Sequence, residues 1–318
     1  MKTHKFYLAP LRGITDRVFR DTYEKHFGRF DYMLAPFVST IRGNRVRDYH
    51  IEDLLPANNE SCRKRLIPQI IGNDSEGFLL LSRKFADLGF ECVNWNLGCP
   101  APLITRKKRG SGLLPHKDII EQFLEDVIPK LTIPLSIKTR LGLDNKDDLG
   151  VLMPIFNNYP LKEIIIHPRT GSQLYGGTVD IDKFETFLHK SVHTVVYNGD
   201  IRTAIDFKYL TDRFPNVDRW MIGRGIIMNP YLLDELKGEA ITSGDKNICG
   251  IRNFLDDLLQ ACQSDPPHPG RILGRMKGIW EYLAPNLDET GELGKKIMRC
   301  ETLAAYQEII DGTLNICG

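Results

Sequence analysis

Several features that would settle the class of this chain at once are missing. No two of its seven cysteines stand in CxxC spacing, which excludes a zinc ribbon, and their odd number and scatter argue against a disulfide framework. No apolar run approaches the length that spans a bilayer, and no secretory leader precedes the first strand-like stretch, so a cytoplasmic protein is expected. Neither sign of charge dominates. Lys and Arg number 42 against 41 Asp and Glu, a net of +1, so any nucleic-acid surface must come from local clustering. There is no Walker motif, no GxGxxG after a strand, no internal repeat and no low-complexity segment.

What is present is an alternation. Short apolar runs at Phe6–Pro10, Tyr32–Pro36, Leu66–Ile71, Cys92–Asn96, Leu135–Thr139, Glu163–His167, Thr194–Asn198 and Arg219–Gly223 read as strands buried on both faces. Amphipathic stretches such as Asp16–His26, Ser75–Leu88, Lys117–Lys130 and Ile181–Leu188 lie between them. Eight such strands separated by helices predict an α/β fold, a (β/α)8 TIM barrel. Beyond about Gly244 no strand follows, and Ile251–Cys262, Arg271–Leu283 and Leu293–Ile310 read as helices. The expected division is a catalytic barrel over 1–243 and a small helical domain over 244–318. The alternative is that these are terminal helices packed on the barrel.

Chemistry in such a barrel belongs at the carboxyl ends of the strands. Those ends carry Pro10 and Leu11, Gln69, Asn96 with Cys99, Lys138, His167 with Arg169, Asn198-Gly199-Asp200, and Gly223-Arg224-Gly225. The late glycine turns let backbone amides approach a phosphate, to which Arg224 would add a charge-assisted bond. Turns use glycine anyway, so this signal counts only beside Lys138 and His167. An ammonium at the end of a central strand is costly to bury without a partner; it either pairs with an internal carboxylate or meets an anionic ligand such as a reduced flavin. His167 is either a satisfied core histidine or a ligand contact. Gln69 and Asn96 can each donate and accept, as the edge of a flavin or a uracil requires. Cys99 lies between Gly98 and Pro100 at the start of a long loop. A thiol with a pKa of about 8.5 is mostly protonated at neutral pH and can act as a general acid.

Taken together, Ala9-Pro10-Leu11-Arg12-Gly13-Ile14-Thr15-Asp16, Gln69, Asn96-Leu97-Gly98-Cys99-Pro100, Lys138-Thr139-Arg140-Leu141-Gly142, His167-Pro168-Arg169-Thr170, Tyr175-Gly176-Gly177, Asn198-Gly199-Asp200 and Gly223-Arg224-Gly225 resemble the tRNA-dihydrouridine synthase family. The resemblance runs from residue 5 to about 240 and extends to the helical tail. It implies FMN over the barrel mouth, NADPH as its reductant, and a tRNA uridine flipped onto the flavin. Hydride would pass to C6 of the uracil and a proton from Cys99 to C5. It further implies that Pro10, Leu11, Gln69, Lys138, His167, Asn198, Gly199, Asp200, Gly223 and Arg224 hold FMN, and that Asn96, Arg169 and Tyr175 lie near the uracil. The chain departs from the family pattern at Ala101-Pro102-Leu103, where a Lys often follows Cys-Pro, and at Thr178-Val179-Asp180-Ile181, which lacks a Trp.

Phosphate contacts would come from basic clusters: Arg42, Arg45 and Arg47; Arg63-Lys64-Arg65; Arg106-Lys107-Lys108-Arg109; Arg271 and Arg275 with Lys277; and Lys295, Lys296 and Arg299. Most charge runs are solvated surface. The run Arg106–Arg109 stands out because it follows Cys99 directly. Two other readings stay open: an FMN barrel oxidoreductase acting on a free small molecule, similar to dihydroorotate dehydrogenase, and a non-catalytic RNA-binding barrel. A monomer without a metal or an obligate protein partner is expected. Which uridine is modified is not readable from the residues.

Overall fold

The computed structural model describes residues 3–40, 43, 45–239, 245–264 and 269–314. Arg42, the boundary expected at 243–244 and residues 265–268 of the expected helix break lie outside them. Ten parallel strands form one sheet: β1 (Lys5–Leu8), β2 (Tyr32–Leu34), β3 (Val38–Ser39), β4 (Leu66–Ile67), β5 (Gln69–Ile71), β6 (Val93–Leu97), β7 (Leu135–Arg140), β8 (Ile164–His167), β9 (Val195–Tyr197) and β10 (Arg219–Ile222). Their order is β3-β5-β6-β7-β8-β9-β10-β1-β2-β4. Each expected strand is present, with ends within two residues of those read from the sequence. β4 and β5 are one run broken at Pro68, which has no N–H to give to the ladder. β2 and β3 likewise share one run. β2 pairs with β4 while β3 pairs with β5, so the sheet returns on itself as the expected barrel. Met33 faces Leu66 and Val38 faces Ile70, so five steps along one run oppose four along the other, a bulge that bends the wall.

Seven helices accompany the strands among the described residues: α1 (Arg17–His26), α2 (Ser75–Asp87), α3 (Pro102–Thr105), α4 (Lys117–Val127), α5 (Asp148–Asn157), α6 (Ile181–Lys190) and α7 (Ala204–Arg213). Asp16, Asp74 and Asp180 cap α1, α2 and α6 by accepting from the N–H three residues on. The barrel interior is apolar in its middle layer, where Tyr7, Ala9, Leu34, Ile67, Ile165, Val196 and Met221 pack together. At the amino ends of β8 and β10, Glu163 accepts from Tyr7 Oη at 2.9 Å and Arg219 reaches the same carboxylate oxygen at 2.9 Å.

By its contacts the chain forms two compact units. The first is Met1–Pro10, Asp31–Gly199 and Thr211–Ile222, and contains every strand. The second is Leu11–Phe30, Asp200–Leu210 and Gly223–Gly318. Within it are α1 and, beyond β10, α8 (Arg224–Met228), α9 (Leu232–Lys237), α10 (Asp245–Ser264), α11 (Pro269–Leu287), α12 (Glu292–Arg299) and α13 (Leu303–Thr313). The helix expected at Leu293–Ile310 is thus two, because Thr302 turns the chain and caps α13 by accepting from Ala305 N–H at 3.1 Å. α1 packs on α10 through Phe19 and Phe254, whose rings meet edge to face at 5.8 Å. Trp280 Nε1 donates to Tyr306 Oη at 2.9 Å, joining α11 to α13. No described helix is long and apolar enough to cross a membrane.

Candidate active site

The pleat of β6 separates packing from chemistry. Trp95 stacks on Phe123 of α4 with centroids 4.0 Å apart, on the helix side. Asn94 and Asn96, one residue to either side, point the other way. There Gln69 Nε2 donates to Asn94 Oδ1 at 2.8 Å, Asn94 Nδ2 donates to Ser136 Oγ at 2.8 Å, and Asn96 Nδ2 donates to Gln69 Oε1 at 2.7 Å. Gln69 is wholly buried, and among the described residues one amide hydrogen and one lone pair remain to it.

Asn96 also fixes Cys99. Its Oδ1 accepts the N–H of Gly98 at 3.0 Å and of Cys99 at 2.8 Å, folding the end of β6 into a tight turn. The Cys99 carbonyl accepts from Ser111 N–H at 3.0 Å and Ser111 Oγ at 3.1 Å. Cys62, Cys92, Cys262 and Cys300 are buried, as small apolar residues are, and Cys99 is half-buried.

Lys138 stands beside Asn96 in the ladder. It is half-buried, and among the described residues it has neither a hydrogen-bond nor an ion-pair partner. Burial pulls its pKa down to about 7, helped by the Arg140 guanidinium and opposed by the thiol of Cys99. Arg140, two residues on, ties two loops together. Its Nε donates to the Gly98 carbonyl at 3.0 Å, its Nη1 donates to the Thr170 carbonyl at 2.7 Å, and its guanidinium carbon lies 5.4 Å from the centre of the Tyr175 ring. In the sequence Arg140 belongs to a motif without a role of its own. Period two along β7 is the signal that puts it on the same side as Lys138.

His167 and Arg169 meet at 3.1 Å, Nε2 to Nη1. Arg169 is wholly buried; its Nε and Nη2 donate to the carbonyls of Gly176 and Gly177 at 3.1 and 2.7 Å. It therefore shapes the loop that carries the half-exposed Tyr175. Asn198 Nδ2 donates to the Met221 carbonyl at 3.0 Å. At Gly199 the place a Cβ would take is filled by the Tyr197 hydroxyl, so packing alone already demands glycine there. Arg106, Lys107 and Lys108 are exposed and Arg109 half-buried, with no carboxylate partner among the described residues.

The second unit holds Leu11, Asp200, Gly223, Arg224, Arg271 and Arg275. Leu11 N–H donates to Thr15 Oγ1 at 2.7 Å, closing the turn after β1, and Pro10 just before it is half-buried in the first unit. Arg275 braces that turn, reaching Asp16 at 2.5 and 2.6 Å and the Ile14 carbonyl at 3.0 Å. Arg271, four residues earlier on α11, is exposed. Arg224 Nη2 pairs with Asp200 Oδ1 at 3.0 Å, and Gly223 caps α8.

Residues 7–264 match the family model described as dihydrouridine synthase (Dus). The chain belongs to the dihydrouridine synthase family. That span includes Cys99 and every residue expected to hold FMN or the uracil, and leaves out the basic residues of the tail from Arg271 onward. Among curated relatives, tRNA-dihydrouridine synthase B of Pasteurella multocida is 31% identical over 233 residues, covering 72% of this chain and 68% of that protein. Its namesake in Escherichia coli K12 is 27% identical over 239 residues, covering 74% and 71%. Solved structures agree on the fold alone. The old yellow enzyme homologue from Zymomonas mobilis superposes with a TM-score of 0.51 at 11% identity, over 76% of this chain and 90% of that one. Morphinone reductase gives 0.51 at 11% identity, over 75% and 87%. This dihydrouridine synthase therefore has the TIM-barrel architecture expected from its sequence, followed by a helical C-terminal region.

Proposed function

We propose that this dihydrouridine synthase reduces uridines of tRNA to 5,6-dihydrouridine, using FMN with NADPH as reductant. The observation that carries the reading is the pairing, at neighbouring strand ends, of a backbone-held cysteine with a lysine that has no partner among the described residues. Lys138 is the test of fit: an ammonium driven toward neutrality by burial regains its charge beside an anionic ring edge, which the reduced flavin presents. FMN, when bound and reduced, supplies hydride to C6 of the uracil. Cys99 gives the thiol proton to C5, and its thiolate recovers a proton from water. Gln69, His167, Asn198 and Gly199 join Lys138 as barrel residues we assign to FMN, with Pro10. Leu11, Asp200, Gly223 and Arg224 carry that assignment on the motif match alone. Asn96, Arg169 and Tyr175 we assign to the uracil side; for Asn96 and Arg169 the role is indirect, because their polar atoms already hold Cys99 and the Tyr175 loop.

The basic run Arg106–Arg109 and the C-terminal helices, with Arg271 at the surface, are the assigned tRNA contacts. The curated relatives, which are named for tRNA, support this substrate. We take the enzyme to be a cytoplasmic monomer with a catalytic barrel and a tRNA-gripping helical part. The deciding experiment is anaerobic absorbance spectroscopy. Flavin bands should bleach with NADPH and return on adding unmodified tRNA. Bands that ignore tRNA defeat the substrate assignment, and a protein that takes up no FMN defeats the cofactor. Cys99→Ala should keep its flavin and its NADPH oxidation and lose dihydrouridine formation; full activity in that variant removes the proton-donor role.

A further inference from the structure

Cys99 lies on a loop, yet its main chain is held as firmly as a strand residue. Its N–H is taken by Asn96, and its carbonyl accepts two bonds from one residue, Ser111, through N–H at 3.0 Å and Oγ at 3.1 Å. Ser111 is twelve residues further along and wholly buried, although a hydroxyl is costly to bury. Its position is enforced from two sides. A Cβ on Gly171, in the loop after β8, would come within 2.5 Å of Ser111 Oγ, so the hydroxyl occupies the space that glycine leaves. Gly110, just before Ser111, has φ +57°, and a Cβ there would lie 2.5 Å from the Cys99 carbonyl oxygen and 3.0 Å from the Cys99 Cβ. Both a left-handed backbone and the absence of a side chain are needed for the turn to close on the cysteine. Among the described residues no hydrogen bond from Gly110 or Ser111 reaches a strand of the barrel; both donors of Ser111 are directed at Cys99, and its carbonyl accepts from Leu114 N–H at 3.2 Å.

We propose that Gly110 and Ser111 are positioning residues for the Cys99 thiol, fixing the carbonyl side of its peptide so that the Cα–Cβ bond keeps one direction. This rests on the reading of Cys99 as proton donor. A carbonyl held by two donors and an N–H held by a third leave the thiol only its own side-chain torsion. Loss of the hydroxyl frees the peptide to rotate and misdirects the proton without touching flavin or RNA contacts.

The holoenzyme of Ser111→Ala tests this. Reduction of the flavin by NADPH and the Kd for unmodified tRNA should equal wild type. Reoxidation of the reduced enzyme by saturating tRNA should slow about fivefold, the equivalent of one net hydrogen bond, so kcat falls while KM holds. Alkylation of Cys99 by iodoacetamide, followed on its own peptide, should accelerate by a similar factor as the peptide loosens. Gly110→Ala, which pushes directly on Cys99, should change both readouts more. Wild-type alkylation in both variants overturns the proposal, as does equal slowing of both half-reactions. If Cys99→Ala retains full dihydrouridine formation, the proton-donor reading fails, while the alkylation rates still decide whether this turn holds the cysteine.

Discussion

Replacing Lys138 by Met removes a charge that the fold carries at a cost. The Lys138 pKa falls from 10.5 to about 7 in the folded chain, mainly through burial. That difference corresponds to about 5 kcal/mol as an upper bound. The unfolded chain keeps its proton up to 10.5 and the folded chain releases it near 7, so between those values the unfolded state binds more protons and stability rises with pH. Below that window both states are charged and the native state bears the full cost; above it both are neutral and the cost is gone. Flavin-free Lys138→Met should therefore be more stable than wild type at about pH 6, by up to ~5 kcal/mol. The difference should shrink by about 1.4 kcal/mol per pH unit across the window. Urea denaturation with linear extrapolation, on both proteins at several pH values, reads it directly. FMN should narrow the difference at low pH by giving the ammonium an anion. A gap that does not change with pH, or a wild type more stable than the variant at low pH without flavin, would refute the reasoning.

Arg275→Met should lower stability by about 1–3 kcal/mol, because it leaves the Asp16 carboxylate unpaired and releases the Ile14 carbonyl. An unchanged denaturation midpoint contradicts that brace. Changing Arg106, Lys107, Lys108 and Arg109 to Gln should weaken tRNA binding and reduce the slope of log K against log salt by about one for each phosphate no longer neutralised; a parallel salt plot removes the run from the interface.

The strands were legible because a strand covered on both faces is apolar throughout, as in Ile164-Ile165-Ile166. α5 was not, although Leu149, Leu152, Met153 and Phe156 are buried at helical spacing, because Gly150 and Pro154 interrupt the pattern. α7 is equally hard to see, with only Phe207 and Leu210 buried to mark its inner face. The candidate site divides in the same way. Lys138 and Cys99 could be singled out because an ammonium and a thiol at strand ends need explaining by their chemistry alone. The roles of Arg169 and Arg275 depend on partners seven and 259 residues away, which no local pattern reveals. Gly199 shows the converse: its sequence position suggests room for a phosphate, and in the fold the Tyr197 hydroxyl also requires it.

The alternation of β6 also limits how this enzyme can change. Asn94 and Asn96 serve the site, and Trp95 between them serves the wall against α4. Inserting or deleting one residue there would exchange the two sets, turning the indole inward and the amides toward the helix. Both functions would be lost in one step, so β6 can vary only by substitution, position by position. Changes in length are left to the loops that leave the strand ends, such as the segment from Pro100 to Pro115. In this fold, new substrate preference is therefore expected to arise by changing loop length above a barrel wall whose residue count is frozen.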